Sequence, residues 1–120
     1  MAEPLTLFVY GTLMRGEHHH DQLAGAQFLG MAATEASFDL VLVDYYPALL
    51  RGGQSQVLGE LYGVDAPTLQ RLDQLEEVPH YYVREGVRLA DGRSVDSYVL
   101  PRDRLTSFAP IPTGSFRSRA

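Results

Sequence analysis

A chain of 120 residues has the length of one domain, since two independent cores need more than roughly 100 to 150 residues. The sequence contains no Cys, Lys, Trp or Asn, and all ten basic residues are Arg. This excludes thiolate nucleophiles, disulfides, Cys-based metal sites, Schiff-base lysines and the lysine of a P-loop. The formal net charge is −5, and residues 1–100 carry six Arg against fourteen Asp and Glu. An acidic body repels phosphate backbones, so nucleic acid is not the expected ligand, and the basic end beyond residue 100 is read as solvated. No stretch approaches the ~20 apolar residues of a membrane span. The first ten residues place an acid where a signal peptide needs a base. A cytoplasmic location is expected.

In chain order, Leu5 to Tyr10 reads as a buried strand ended by glycine. Glu17 to Leu23 has room for one or two helical turns. Phe28 to Ala36 and Phe38 to Val43 read as strands, Asp44 to Pro47 as a turn, and Ala48 to Arg51 as a short edge strand. Val57 to Val64 is the next strand, where Gly59 and Gly63 point to a bulge or a close backbone approach. Asp65 is placed to cap a helix with Pro67 in its first turn and Leu69, Leu72 and Leu75 as its apolar side. Pro79 ends it. Tyr81 to Leu89 alternates as a half-buried strand, and Asp91-Gly92 predicts a type I′ hairpin to a strand over Ser94 to Leu100. From Pro101 onward irregular structure is expected, with one domain over residues 1–110 and a tail over 111–120. The predicted class is α+β, a small, mostly antiparallel, barrel-like sheet with one main helix and a short second one.

Three segments are candidates for chemistry. Gly11 to Gly16 has the glycine spacing of a P-loop, but Glu17 and His18 stand where Lys and Ser or Thr are required. What remains is a glycine turn whose Gly11, Thr12 and Leu13 amides can face one anion or carbonyl oxygen, or an ordinary tight turn. His18, His19 and His20 are consecutive and cannot all face one ion, so they are read as a solvated helix start and not as a metal site. No nucleophile-elbow pattern is present.

The third segment breaks two rules. At about 100° per residue, Glu76 falls about 20° from Leu69, on the apolar side of the predicted helix. Glu76 and Glu77 also occupy the last turn, where the helix dipole disfavours negative charge. Such conflicts concentrate at functional sites, and desolvation, Glu77 and the helix end would each raise the pKa of Glu76, as a general acid/base requires. The alternative is a helix that ends early and leaves Glu76 in solvent. Tyr10, Tyr45, Tyr46, Tyr81, Tyr82 and Tyr98 fall at strand ends and turns, where their faces and hydroxyls are placed to line one cavity.

Taken in order, several fragments resemble the gamma-glutamylcyclotransferase superfamily, in particular its short gamma-glutamylamine cyclotransferase-like and AIG2-like members. Phe8-Val-Tyr-Gly-Thr-Leu-Met-Arg-Gly16 is similar to the family's strand-to-turn signature, Tyr46-Pro-Ala-Leu49 to its central turn, and Gly59-Glu-Leu-Tyr62 to the strand before the helix. Leu72-Asp-Gln-Leu-Glu76 resembles its Leu-Asp-x-x-Glu, Tyr82-Val-Arg84 its Tyr-x-Arg, and Ile111-Pro-Thr-Gly114 its closing element. One position departs: the glycine usual after the catalytic glutamate is Glu77 here.

The resemblance implies a small β-barrel with flanking helices and an enzyme that needs no cofactor or metal. The implied substrate is a γ-glutamyl amine or amino compound, cyclised to 5-oxoproline with release of the amine. Glu76 is the implied general acid/base and Tyr10, Gly11, Thr12, Leu13, Tyr46 and Tyr82 the substrate-binding residues, with Arg84 structural. Two other classes stay open, a non-catalytic small-molecule binder on the same scaffold and a protein-interaction domain with Glu76 solvated.

Overall fold

The first apolar run becomes β1 (Leu5–Val9), and it lies at the centre of a sheet. In the computed structural model, which describes residues 5–118, it is followed by β2 (Gln27–Ala33), β3 (Phe38–Val43), β4 (Tyr46–Arg51) and β5 (Leu58–Val64). Then come α1 (Ala66–Leu75), β6 (Val83–Arg88), β7 (Ser94–Val99) and the two-residue β8 (Ala109–Pro110). Short 3-10 turns occupy His20–Leu23, Arg102–Arg104 and Phe116–Ser118. Five strands pair in the order β2-β5-β1-β7-β6, and three form a second sheet, β4-β3-β8. Among the described strands only β1 and β7 run parallel, so the mostly antiparallel α+β architecture is as predicted.

The larger sheet curls until its two edges meet at one end. Ala90 N–H donates to Ala33 O at 2.9 Å and Glu35 N–H to Arg88 O at 3.0 Å, with Thr34 bridged to Leu89. Closure at that end makes a half-barrel and satisfies edge groups that would otherwise be open to association. The second sheet is tied on by Leu100 N–H, which donates to Leu49 O at 2.9 Å. Leu7, Phe8, Phe38, Leu49, Leu61 and Leu72 are buried between these layers. None of the described helices is long and apolar enough to cross a membrane.

The helix starts as predicted. The Asp65 carboxylate accepts from Thr68 N–H at 2.9 Å, and a proline occupies the first turn, where its missing N–H costs nothing. Gly59 is a close approach: a Cβ there would lie 2.3 Å from Val9 O and 2.7 Å from the Phe8 ring. The bulge is on the neighbouring strand, between Phe28 and Gly30.

Three expectations are corrected. The turn predicted over Asp44 to Pro47 is confined to Asp44 and Tyr45, because Tyr46 pairs with Val43 and Pro47 with Leu42. Proline fits there because β4 is an edge strand that spares its missing donor. The Asp91-Gly92 turn is not type I′, which needs positive φ at both residues. Among the described residues only Asp44 and Glu77 are non-glycines with positive φ. Gly92 N–H instead donates to Leu89 O at 2.9 Å, and Gly92 alone is left-handed at φ 92°, giving a type I turn with a glycine bulge.

The third correction concerns the chain end. Residues 111–118 are not a solvated tail: Ile111 and Phe116 are buried in the core, and Gly114 O accepts from Leu58 N–H at 2.8 Å. Two isolated apolar side chains in a Pro, Arg and Ser-rich segment are enough to dock it.

Candidate functional site

Where β1 ends, the chain turns through Gly11, Thr12 and Leu13 with all three carbonyls directed into the protein. Gly11 O accepts from Met14 N–H at 3.0 Å, Thr12 O from His19 N–H at 2.8 Å, and Leu13 O from His20 Nδ1 at 2.9 Å. The three amides donate to no acceptor among the described residues. Glycine is needed at the head of this turn because a Cβ on Gly11 would lie 2.2 Å from Pro47 Cγ. A cavity of about 370 Å³ opens beside the turn. It is lined by Glu76 and by Tyr10, Gly11, Thr12, Leu13, Tyr46 and Tyr82, so the residues that the resemblance implies as catalytic and substrate-binding face one space.

Glu76 caps the C-terminus of α1 at φ −86° and ψ 2°. It is half-buried, and its carboxylate accepts no hydrogen bond among the described residues. Desolvation, followed by the charge of Glu77, raises its pKa from 4.5 to about 7. The helix ends in a Schellman motif: Val78 N–H donates to Asp73 O at 2.9 Å and Glu77 N–H to Gln74 O at 3.1 Å. Glu77 sits at the left-handed position of this motif with φ 55°, where glycine is the residue without strain. This is the physical reason a glycine is usual at that position. The last turn is held to the sheet by Arg84, which bonds Asp73 at 3.0 and 3.3 Å and Asp96 at 2.7 Å, while Tyr98 OH donates to Asp73 at 2.8 Å.

Glu77→Gly is accordingly expected to have two effects. Removing a left-handed non-glycine relieves about 1–2 kcal/mol, less about 0.4–1 kcal/mol for the freer unfolded chain, for a net gain of about 0.8 kcal/mol. Removing the charge lowers the pKa of Glu76 below about 7. Urea denaturation reads the first and a pH titration of Glu76 the second; Glu77→Gln should reproduce only the second.

The tyrosines divide by where their hydroxyls go. Tyr10 OH donates to Tyr98 O at 2.6 Å and accepts from Leu49 N–H at 3.2 Å, so its ring faces the cavity while its hydroxyl is occupied by backbone. Tyr82 OH donates to Pro47 O at 2.6 Å. Burial, then the charge of Glu76, raises the Tyr82 pKa, so the phenol stays protonated and keeps a lone pair to accept with. Tyr46, Tyr81 and Tyr98 also line the cavity, whereas Tyr45, 86% exposed, does not.

Sequence reasoning missed three contributors. His19 lines the cavity, bonds Thr12 Oγ1 through Nδ1 at 3.1 Å and stacks on Tyr46 with rings 6.2 Å apart and 7° from parallel. His19 and His20 are therefore braces of the amide turn and not a solvated helix start, because the turn folds back over seven residues. Among the described residues no three His, Asp or Glu side chains converge on a metal-sized point. Asp44 and Pro47 also reach the cavity. They do so because the β3–β4 turn is tighter than predicted and carries Pro47 over Gly11.

The gamma-glutamyl cyclotransferase, AIG2-like family matches residues 7–118. A relative from Vibrio cholerae is 44% identical over 86 residues, covering 72% of this chain and 74% of that protein. Gamma-glutamylaminecyclotransferase A of Danio rerio is 34% identical over 108 residues, covering 79% of this chain and 67% of that protein. The crystal structure of an AIG2-like protein from Mus musculus has a TM-score of 0.73 at 32% identity, covering 88% of this chain and 81% of that one. A match through residue 118 includes the docked chain end as well as the strands, the amide turn and the helix bearing Glu76. The chain belongs to the gamma-glutamyl cyclotransferase, AIG2-like family, and is an enzyme of gamma-glutamylcyclotransferase type.

Proposed function

We propose that the chain cyclises a γ-glutamyl amine to 5-oxoproline and releases the amine, with Glu76 as the general acid/base. The observation that carries this is a carboxyl group sharing one cavity with three amides that have no acceptor among the described residues, burial and the charge of Glu77 raising its pKa to about 7. The substrate supplies its own nucleophile. Its α-ammonium gives a proton to the Glu76 carboxylate, and the freed nitrogen attacks the γ-carbonyl carbon to close a five-membered ring. Collapse of that adduct breaks the bond to the leaving nitrogen, which takes the proton from Glu76, and the ring nitrogen then gives up its second proton, through the freed carboxylate, to the released amine, which departs as an ammonium. No water is consumed, and the carboxylate is regenerated. Folding the substrate so that its two ends meet exploits proximity. The amides of Gly11, Thr12 and Leu13 hold the substrate carboxylate or the developing oxyanion. The free lone pair on Tyr82 receives an N–H of the α-ammonium, and Tyr46 with His19 forms an aromatic wall.

Among the described residues the lining includes Asp44, Glu76 and Glu77 but no arginine, so cationic or neutral amines fit as leaving groups better than those carrying a second carboxylate. Incubation with γ-glutamyl amines and γ-glutamyl dipeptides, followed by measurement of 5-oxoproline, tests both points. Faster turnover of the amines than of dipeptides ending in Glu or Asp is expected. No 5-oxoproline from any of them, together with tight binding of 5-oxoproline itself, would replace the enzyme reading with that of a binding protein.

A further inference from the structure

Among the described residues the catalytic reading leaves one buried carboxylate unused. Glu60 on β5 is 1% exposed and does not line the cavity. Its Oε1 accepts from Arg15 N–H and from Tyr62 OH, each at 2.9 Å. Its Oε2 lies 3.3 Å from Arg117 Nη1 and 3.9 Å from Arg15 Nε. A carboxylate this deep is tolerated only when its lone pairs are engaged, and here the partners all belong to the amide turn's exit, to Glu60's own strand or to the docked chain end.

The geometry is that of a staple. The backbone of Glu60 is paired with Val9, the last residue of β1, and its side chain holds the amide of Arg15. Both ends of the turn containing Gly11, Thr12 and Leu13 are thus fixed to one residue. Arg117 completes the fastening. It donates to Glu60, to Arg15 O and to Glu17 Oε2, the last at 3.4 Å. It is delivered by a segment anchored through buried Phe116 next to it.

We propose that Glu60 and Arg117 are positioning residues for the reaction, setting the Gly11 to Leu13 amides in the register that faces the cavity. This rests on the reading that those amides bind the substrate. If they bind it in ground and transition state alike, loosening the turn weakens binding without touching the chemical step. A shift on the scale of an ångström in a positioning group is worth up to about a hundredfold.

The test uses Arg117→Ala, Arg117→Lys and Glu60→Gln with a γ-glutamyl amine that the wild type turns over. The expected result for Arg117→Ala is a KM raised about ten- to hundredfold with kcat within about twofold, and an unchanged acidic limb near pH 7 set by Glu76. Arg117→Lys should recover part of the loss, because an ammonium can pair with Glu60 but cannot also span to Arg15 O. A drop in kcat at unchanged KM overturns the proposal if α1 amides also exchange faster, which marks a smaller folded fraction, and supports it if they do not, the amides then holding the developing oxyanion. Amide hydrogen exchange gives a readout free of catalysis: Met14 and His19, whose N–H groups donate to Gly11 O and Thr12 O across the turn, should exchange about tenfold faster in Arg117→Ala or Glu60→Gln, while α1 amides keep their wild-type rates. Unchanged exchange at Met14 and His19 overturns the proposal even if no substrate is found; faster exchange in the variants of a protein whose wild type makes no 5-oxoproline supports the staple and refutes the catalytic reading.

Discussion

Glu76→Gln is expected to lower turnover of a γ-glutamyl amine by about 10²- to 10⁴-fold, the usual contribution of general acid/base catalysis, equivalent to roughly 3 to 5.5 kcal/mol. Glutamine keeps the volume and one oxygen but cannot take or return the proton, so binding of 5-oxoproline should be nearly unchanged. Stability should move the other way. The folded state raises the Glu76 pKa from 4.5 to about 7, so it holds the proton more tightly than the unfolded chain. The associated stability is fully present below pH 4.5 and is lost as pH rises through about 7. Gln and wild type should therefore match in stability at pH 4 and diverge to ~2 kcal/mol in favour of Gln at pH 8, a figure reduced from the full shift for partial solvent access. Thermal unfolding at the two pH values checks the sign. Equal activity in both proteins would show that another group moves the proton.

Gly11→Ala should damage binding as well as turnover. A Cβ at Gly11 would stand 2.2 Å from Cγ and 3.2 Å from Cδ of Pro47, and a proline ring in a paired strand cannot rotate out of the way. Either β4 recedes, taking with it the Pro47 carbonyl that holds Tyr82 OH, or the turn recedes and withdraws its amides. Overpacking of this kind costs about 1–3 kcal/mol, and an ångström of displacement at the site costs about 10²-fold in kcat/KM. The diagnostic difference from Glu76→Gln is that 5-oxoproline affinity falls too. Calorimetric titration of both variants separates a lost proton carrier from a lost cradle. Unaltered binding in Gly11→Ala would show that the turn does not contact the ligand.

Residues whose partners lie nearby in sequence were the ones that could be read without a structure. Asp65 and its bond to Thr68, Leu72 on the buried helix face, and Glu76 at the helix end all follow from local periodicity and capping. The cavity tyrosines and the Gly11 turn were legible as a set because strand ends gather at one end of a small sheet. What stayed hidden depends on long-range register. In β5, Glu60 alternates onto the same face as Tyr62, and nothing local distinguishes a charge held by Arg117, 57 residues away, from one in solvent. His19 and His20 needed the actual fold of the turn to show that they brace it. The hairpin at Asp91 was mistyped because the Asp-Gly pair sits one position later in the loop than a two-residue turn requires.

The central place of β1 governs how the molecule must assemble. In order of synthesis β1 precedes both of its neighbours, one supplied by residues 58–64 and the other by residues 94–99. Until the second arrives, β1 presents an open flank, and neither the amide turn at its end nor the clasp of Tyr10 on Tyr98 can form. Pairings this distant in sequence raise contact order, so folding is expected to be slow for a chain of this size. The incomplete chain carries an exposed strand edge while it is being made. The reactive cavity and the completed sheet therefore appear in the same late step, and a truncated product has neither.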